Sequence, residues 1–139
     1  GSGGALAYAM AAQAPEGTFS GAVSIGFCPS LPLSKPLCKG EGSVFRINKE
    51  KSALTLLPDT AMRTPWLALQ GAQDRSCPVA ATQAFVAKVP SSHWVGVPGV
   101  GEDLLGTAAG LSAYEVSYRR MATEVSTSRL SAEAGSGTL

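Results

Sequence analysis

The sequence is poor in histidine, in aromatic residues and in charge. It holds one histidine, His93, and only 6% of its 139 residues are aromatic and 15% charged. Eleven basic and ten acidic residues give a net charge of +1, whereas a nucleic-acid-binding face needs an excess of Lys and Arg to displace phosphate counterions. No apolar run approaches the roughly 20 residues of a membrane-spanning helix. We therefore expect neither a nucleic-acid partner nor a membrane span.

The sequence also lacks an initiating Met and a basic, apolar signal segment at its start. We therefore expect either a processed chain or an excerpt of a longer protein. The length excludes a second full domain, since single domains usually have about 100–150 residues. Apolar residues make up 45% of the chain, which is enough for a folded core and atypical of a disordered segment.

The order of apolar runs and turns predicts an α/β fold with a parallel sheet. An alanine-rich run without β-branched residues precedes Pro15, which favours a short helix over 4–14. The other predicted elements are strands over 19–27, 66–70 and 93–97, a β-hairpin over 43–48 and 53–57, and helices over 78–89 and 108–130. The predicted domain covers 1–105 with an insertion over about 28–64, and 106–139 forms a closing helix, or a linker, with a flexible end.

The loop after the predicted strand 66–70 carries the most specific motif. Functional groups gather at the carboxyl ends of parallel strands, and Gly-Ala-Gln-Asp at 71–74, followed by Pro78, stands at such an end. The motif resembles the α/β-hydrolase loop whose Asp orients the catalytic histidine, so Asp74 is a candidate catalytic residue. The alternative is that the Asp74 carboxylate caps the turn or the following helix.

Gly-Ser-Gly-Gly at 1–4 resembles the nucleophile elbow of the same hydrolases, in which a serine is exposed on a tight strand-to-helix turn. In one register Ser2 is the catalytic nucleophile. In a second register Gly1 takes the nucleophile's position, and the elbow is inactive. A third reading makes Gly1-Ser2 a cloning remnant.

A serine nucleophile needs a base, and the histidine is missing from its expected place. Residues 98–104 resemble the hydrolase turn that carries the catalytic histidine, but Glu102 stands there. A carboxylate beside Asp74 would meet like-charge repulsion and lacks the two nitrogens of an imidazole. His93 starts its predicted strand, at the opposite end of the sheet, which favours a structural or surface role.

The cysteines indicate the compartment. Cys28 and Cys38 flank a proline-rich loop, and a disulfide between them would stabilise that loop by roughly 2–3 kcal/mol. Such a bond predicts an oxidising compartment and leaves Cys77 as a buried or reactive thiol. The alternative is that all three cysteines are small, reduced core residues.

Four segments together resemble the AcvB/VirJ family of bacterial virulence-associated proteins. They are Ala-Tyr-Ala-Met-Ala-Ala-Gln-Ala-Pro at 7–15, Gly-Phe-Cys-Pro at 26–29, Lys-Pro-Leu-Cys-Lys-Gly at 35–40 and Gln-Gly-Ala-Gln-Asp at 70–74. The resemblance covers about residues 1–105 and implies a periplasmic α/β-hydrolase fold, similar to the first of two tandem domains. It implies a link to type IV secretion and to hydrolysis of lysyl-phosphatidylglycerol. Because the strands that normally precede the elbow are absent, only the carboxyl-terminal half of that fold is expected.

A basic segment offers a further contact to anions. Residues 35–51 carry five cations against two acidic residues, and the candidate anion contacts are Lys35, Lys39, Arg46, Lys49 and Lys51. They would face an aminoacylated phospholipid or a membrane surface, or would form a solvated loop.

Two functions follow from these motifs. In the first, Ser2 and Asp74 belong to a serine hydrolase that cleaves the lysyl ester of lysyl-phosphatidylglycerol, with backbone N–H groups of the elbow holding the oxyanion. In the second, the domain is catalytically silent and supports a second hydrolase domain of the same protein or type IV secretion components. Neither function predicts a cofactor or a metal.

Overall fold

Helices and strands alternate in the order that the sequence predicts. The computed structural model describes residues 2–33, 35, 45–48 and 50–137, with side chains as far as 127. The elements are α1 (Ser2–Gln13), β1 (Ala22–Ile25), β2 (Ser30–Leu31), β3 (Phe45–Asn48), β4 (Ala53–Leu56), β5 (Trp66–Gly71), α2 (Val79–Ala87), β6 (Ser92–Val97) and α3 (Ala108–Gly137). This confirms the predicted α/β class, with a parallel sheet, a β-hairpin and a carboxyl-terminal helix.

The parallel sheet has the strand order β1, β5, β6. Ala22 lies opposite Trp66 at one end of the sheet, and Gly71 lies opposite Val97 at the other. Every residue of β5 is buried, as expected for a central parallel strand that is covered on both faces. All three carboxyl ends therefore meet at one edge of the sheet, where the predicted catalytic loops begin.

One face of the sheet packs on α1 and α2 through an aromatic cluster of Tyr8, Phe27, Trp66 and Phe85. The ring centroids lie 4.6–6.1 Å apart, mostly edge to face. A buried hydroxyl ties α1 to the sheet, because Ser24 donates to the Gly4 carbonyl at 2.7 Å and accepts from the Trp66 indole at 2.9 Å. The hydrogen bonds of Ser24 and the aromatic packing therefore hold α1 against β1.

The other face packs on α3. Leu67, Leu69 and Val97 of the sheet form a buried cluster with Val100 and Leu104. The α3 residues that pack against this cluster are Ala113, Tyr114 and Met121. The segment predicted as either a helix or a linker is therefore a helix that covers the sheet. It also includes residues 135–137, which the sequence assigns to a flexible end.

The inserted segment forms a second, antiparallel sheet in the order β2, β4, β3. The predicted hairpin is present, with Arg46 opposite Thr55 and Asn48 opposite Ala53. The short β2 was not predicted, and β1 is shorter than the predicted strand 19–27. β1 ends at Ile25, because the next residue, Gly26, has a φ of +65° and leaves extended geometry. Phe27 then lies in the aromatic cluster. None of the helices described is both long and apolar enough to cross a membrane.

Candidate functional site

The carboxyl edge of the parallel sheet brings the elbow-like helix start and the Asp74 loop to the same end of the molecule. The first turn of α1 lies on the end of β1: a Cβ added to Gly4 would stand 3.1 Å from the Ile25 carbonyl oxygen and 3.2 Å from the Phe27 Cα. The Asp74 loop follows β5, the neighbour of β1. The start of α1 and the Asp74 loop therefore follow from the ends of neighbouring strands, and the catalytic roles of Ser2 and Asp74 stay predictions.

A disulfide joins these two regions, but it is not the predicted one. Cys28 is bonded to Cys77, with their Cα atoms 5.7 Å apart, so the predicted pairing of Cys28 with Cys38 is wrong. Adjacent parallel strands end at the same edge, which brings together two cysteines 49 positions apart in sequence. Cys77 is thus not a leftover thiol, and Cys38 lies outside the described residues.

The Cys28–Cys77 disulfide is buried beside the start of α2. Cys77 is only 4% exposed, and the Thr82 hydroxyl lies 3.3 Å from its sulfur and 3.4 Å from the Phe27 carbonyl oxygen. A disulfide inside the fold accords with an oxidising compartment. The bond closes the carboxyl edge between β1 and β5 covalently.

The Asp74 carboxylate is occupied by its own loop. One oxygen accepts the backbone N–H groups of Ser76 at 2.9 Å and Cys77 at 3.2 Å, and the other accepts the Gln70 side-chain amide at 3.4 Å. The backbone N–H of Asp74 donates to the Gly71 carbonyl at 3.0 Å. This is the geometry of a capped turn, the alternative that the sequence left open.

Gln70 organises this edge, and sequence reasoning missed it. Its side chain is 1% exposed. The amide nitrogen donates to the Cys77 carbonyl at 3.1 Å as well as to Asp74, and the amide oxygen accepts the Trp94 indole N–H at 3.2 Å. The available signal was a polar residue within an otherwise apolar strand, since a buried amide must find partners.

The remaining residues of the predicted site are exposed, and one of them lies toward the other end of the sheet. Ser2 is the first residue of α1 and is exposed, as is Glu102 in the segment after β6. His93 is exposed and pairs with Leu67 near the start of β6, four residues before Val97, or about 13 Å from the carboxyl end of that strand. Within the described part of the chain, no histidine stands beside Ser2 or Asp74.

The candidate anion contacts are described only in part. Lys35, Arg46 and Lys51 are exposed, and Arg46 points away from the inner face of β3, whose residues alternate. Lys39 and Lys49 lie outside the described residues. No group of three or more metal-ligating side chains comes together in the ranges that the structure describes.

Comparisons with known proteins give little beyond this geometry. No protein-family model matches the chain, and no curated protein matches it. Among solved structures, a predicted CIB-like hydrolase from Thermoplasma acidophilum matches at 17% identity and a TM-score of 0.34. The match covers 50% of this chain, which spans 30% of the length of that hydrolase. A likeness this weak carries no argument about fold or activity, so the AcvB/VirJ resemblance stays a prediction.

Proposed function

We propose that this chain is a hydrolase-type domain that performs no catalysis itself and that binds or braces a catalytic partner. The observation that carries the proposal is the state of Asp74, whose two carboxylate oxygens accept hydrogen bonds from its own strand and loop. The acid of a Ser-His-Asp site must also accept an imidazole N–H. The single histidine of the sequence lies toward the opposite end of the sheet.

Glu102 does not supply the missing base. Its carboxylate is exposed, and a carboxylate lacks the two ring nitrogens with which a histidine takes a proton from serine and holds the acid. A serine hydroxyl without a base within hydrogen-bond reach is a weak nucleophile. The elbow-like turn at 2–4 then serves packing, since Gly4 lets α1 approach β1 closely.

The setting of this domain is the periplasm, and its partner is a second hydrolase domain or a type IV secretion component near a membrane surface. The Cys28–Cys77 disulfide supports an oxidising compartment. Exposed Lys35, Arg46 and Lys51 support a weak, salt-sensitive attraction to anionic headgroups. The AcvB/VirJ resemblance supplies the chemistry of the partner, which is hydrolysis of the lysyl ester of lysyl-phosphatidylglycerol.

A second candidate function is hydrolysis of that lysyl ester by this chain itself. It is favoured by one observation: Ser2 begins the helix that packs on the end of β1, and the Asp74 loop follows the neighbouring strand. Ser2 would attack the ester carbonyl, and the N–H groups at the start of α1 would stabilise the oxyanion. Asp74 would have to accept an N–H from a base that comes from outside the described residues.

A serine-directed fluorophosphonate separates the two functions. The chain is treated with the probe, the modified peptide is mapped by mass spectrometry, and release of free lysine from lysyl-phosphatidylglycerol vesicles is followed in parallel. Ser2→Ala is the test variant, and Ser112→Ala, which removes another exposed helical serine, is the matched control. We expect no labelling of Ser2 above that of Ser112 and no release of lysine.

Selective labelling of Ser2 would overturn the non-catalytic proposal. The second candidate further requires that lysine release be lost in Ser2→Ala and kept in Ser112→Ala. Binding of the chain to anionic vesicles, without labelling or release, is the result expected for a supporting domain near a membrane.

A further inference from the structure

A cleft lies toward the end of the sheet opposite the predicted site. It has a volume of about 620 Å³ and is bounded by the starts of β5 and β6 on one side and by α3 on the other. Small-molecule sites usually have volumes of about 300–1,000 Å³. The cleft therefore has the size of a ligand site.

The walls of the cleft are apolar. Leu67 and Val95 line it from the sheet, and Met121 and Val125 line it from α3. Leu67 is buried, and the other three are half-buried. These side chains form an apolar surface that can bind a hydrocarbon chain or ring. Such binding releases water from the apolar surface, which drives apolar association.

Three charged or titratable side chains also face this cleft: Arg120 and Glu124 of α3, and His93 of β6. His93 shares a face of β6 with Val95, because alternate residues of a strand point the same way. The one ion pair between described side chains joins Arg63 to Glu16, elsewhere on the surface. The Arg120 guanidinium therefore has no carboxylate partner in the described part of the chain, although Glu124 stands one helical turn away.

These charges select the sign of a ligand. A guanidinium presents paired N–H donors that match the two oxygens of a carboxylate, and the His93 imidazole adds an N–H donor on the opposite wall. Glu124 repels negative charge on its own side of the cleft, so an anionic group fits only beside Arg120. A single anionic group attached to an apolar body fits both the charges and the walls.

We propose that the cleft between β6 and α3 binds an amphipathic monocarboxylate, with its apolar body on Leu67, Val95 and Met121 and its carboxylate on Arg120. This site is distinct from the carboxyl edge of the sheet. It does not depend on whether Ser2 is a nucleophile.

Octanoate is the probe for this site, with octanol and octylammonium as its neutral and cationic counterparts. Binding to the chain is measured by isothermal titration calorimetry. Arg120→Gln is the test variant, and Arg119→Gln is the matched control, because it removes the same charge from the adjacent exposed position of α3, which is not among the residues that line the cleft.

We expect octanoate to bind the wild-type chain more tightly than octanol or octylammonium. Arg120→Gln should weaken octanoate binding by about fivefold, the size expected for a largely exposed ion pair, and leave octanol binding unchanged. Arg119→Gln should change neither. Ser117→Phe, which fills the cleft from α3 without changing its charge, should weaken both octanoate and octanol.

Four results would overturn the proposal. Equal losses in Arg119→Gln and Arg120→Gln would indicate only general electrostatic attraction. Tighter binding of octylammonium, lost in Glu124→Gln, would indicate a cation site. A dimer that dissociates in Ser117→Phe, seen by sedimentation, would mean that a second copy covers the cleft. Octanoate binding unchanged in Ser117→Phe, with the fold retained by circular dichroism, would place the ligand elsewhere.

Discussion

The two ends of the parallel sheet use their polar residues in opposite ways. At the carboxyl end, Gln70 and Asp74 are hydrogen-bonded within the chain and a disulfide closes the edge. Near the amino end, Arg120 and Glu124 line an open cleft and form no ion pair with each other. Polar residues therefore indicate a functional site only where their hydrogen-bonding groups remain available to a ligand.

Removal of the disulfide is expected to have the largest effect on the closed carboxyl end of the sheet. Closing a segment of 49 residues is expected to stabilise the fold by about 4 kcal/mol on the loop-entropy model. Cys28→Ser and Cys77→Ser should therefore lose about that much free energy of unfolding in urea, and Cys38→Ser should lose little. A loss in Cys38→Ser that equals the loss in Cys28→Ser would instead support the Cys28–Cys38 pairing.

A second prediction concerns the pH dependence of stability that the buried Tyr8 hydroxyl causes. The buried Tyr8 hydroxyl donates to the Leu57 carbonyl at 2.6 Å and accepts the Asp59 N–H at 2.8 Å. Burial, together with the nearby Asp59 charge, raises the pKa of Tyr8 from the usual 10.0 to about 12, although the hydrogen bond from the Asp59 backbone N–H lowers it in part. Between these pH values the unfolded phenol loses its proton and the folded one keeps it, so stability falls as pH rises.

The loss attributable to Tyr8 should be about 2–3 kcal/mol, because each pKa unit corresponds to about 1.4 kcal/mol. Denaturant unfolding from pH 9 to pH 12 measures it. Tyr8→Phe should remove this part of the pH dependence, whereas Tyr118→Phe, at an exposed position, should keep it. Equal slopes for Tyr8→Phe and the wild-type chain would contradict the assignment.

Gln70→Leu tests the internal bonding of the carboxyl edge. It would leave the Trp94 indole and the Cys77 carbonyl without their buried partner, at an expected cost of about 2 kcal/mol. Gln73→Leu is the matched control in the same loop, since Gln73 is exposed. Chemical unfolding should show the loss for Gln70 only, and similar losses at both positions would argue against the buried network.

Asp74→Ala separates a cap from a catalytic acid. Removal of the acceptor for the Ser76 and Cys77 N–H groups should cost about 1 kcal/mol, and Asp74→Asn, which retains an acceptor oxygen, should cost less. Glu102→Ala at an exposed position should change the free energy of unfolding by under about 0.5 kcal/mol. A gain in stability on Asp74→Ala would instead indicate a strained functional acid.

The smallest effects are expected at the cleft. Arg120→Gln and Glu124→Gln change exposed side chains, so the free energy of unfolding should move by no more than about 0.5 kcal/mol. Thermal unfolding of the two variants beside the wild-type chain checks this. A large loss in either would show that the residue supports the fold, and the contrast between the two ends of the sheet would then fail.

Local patterns in the sequence predicted most of the fold. Alternation and turn residues located the hairpin, and apolar runs bounded by Gly and Pro located β5 and β6. Of the two readings of the motif at 71–74, the structure shows the capped turn at the end of β5, and the catalytic role of Asp74 stays a prediction. These predictions succeeded because element type and order depend mainly on neighbours in sequence.

Only the tertiary structure decided which distant residues bond or pack with one another. Strand adjacency paired Cys28 with Cys77 instead of the nearer Cys38. Burial decided which groups the Gln70 amide binds, the Cys77 carbonyl and the Trp94 indole. The cleft formed where α3 packs over the starts of β5 and β6. Residue types and their order determined which elements form, whereas long-range packing determined which polar groups are satisfied within the fold and which remain open to a ligand.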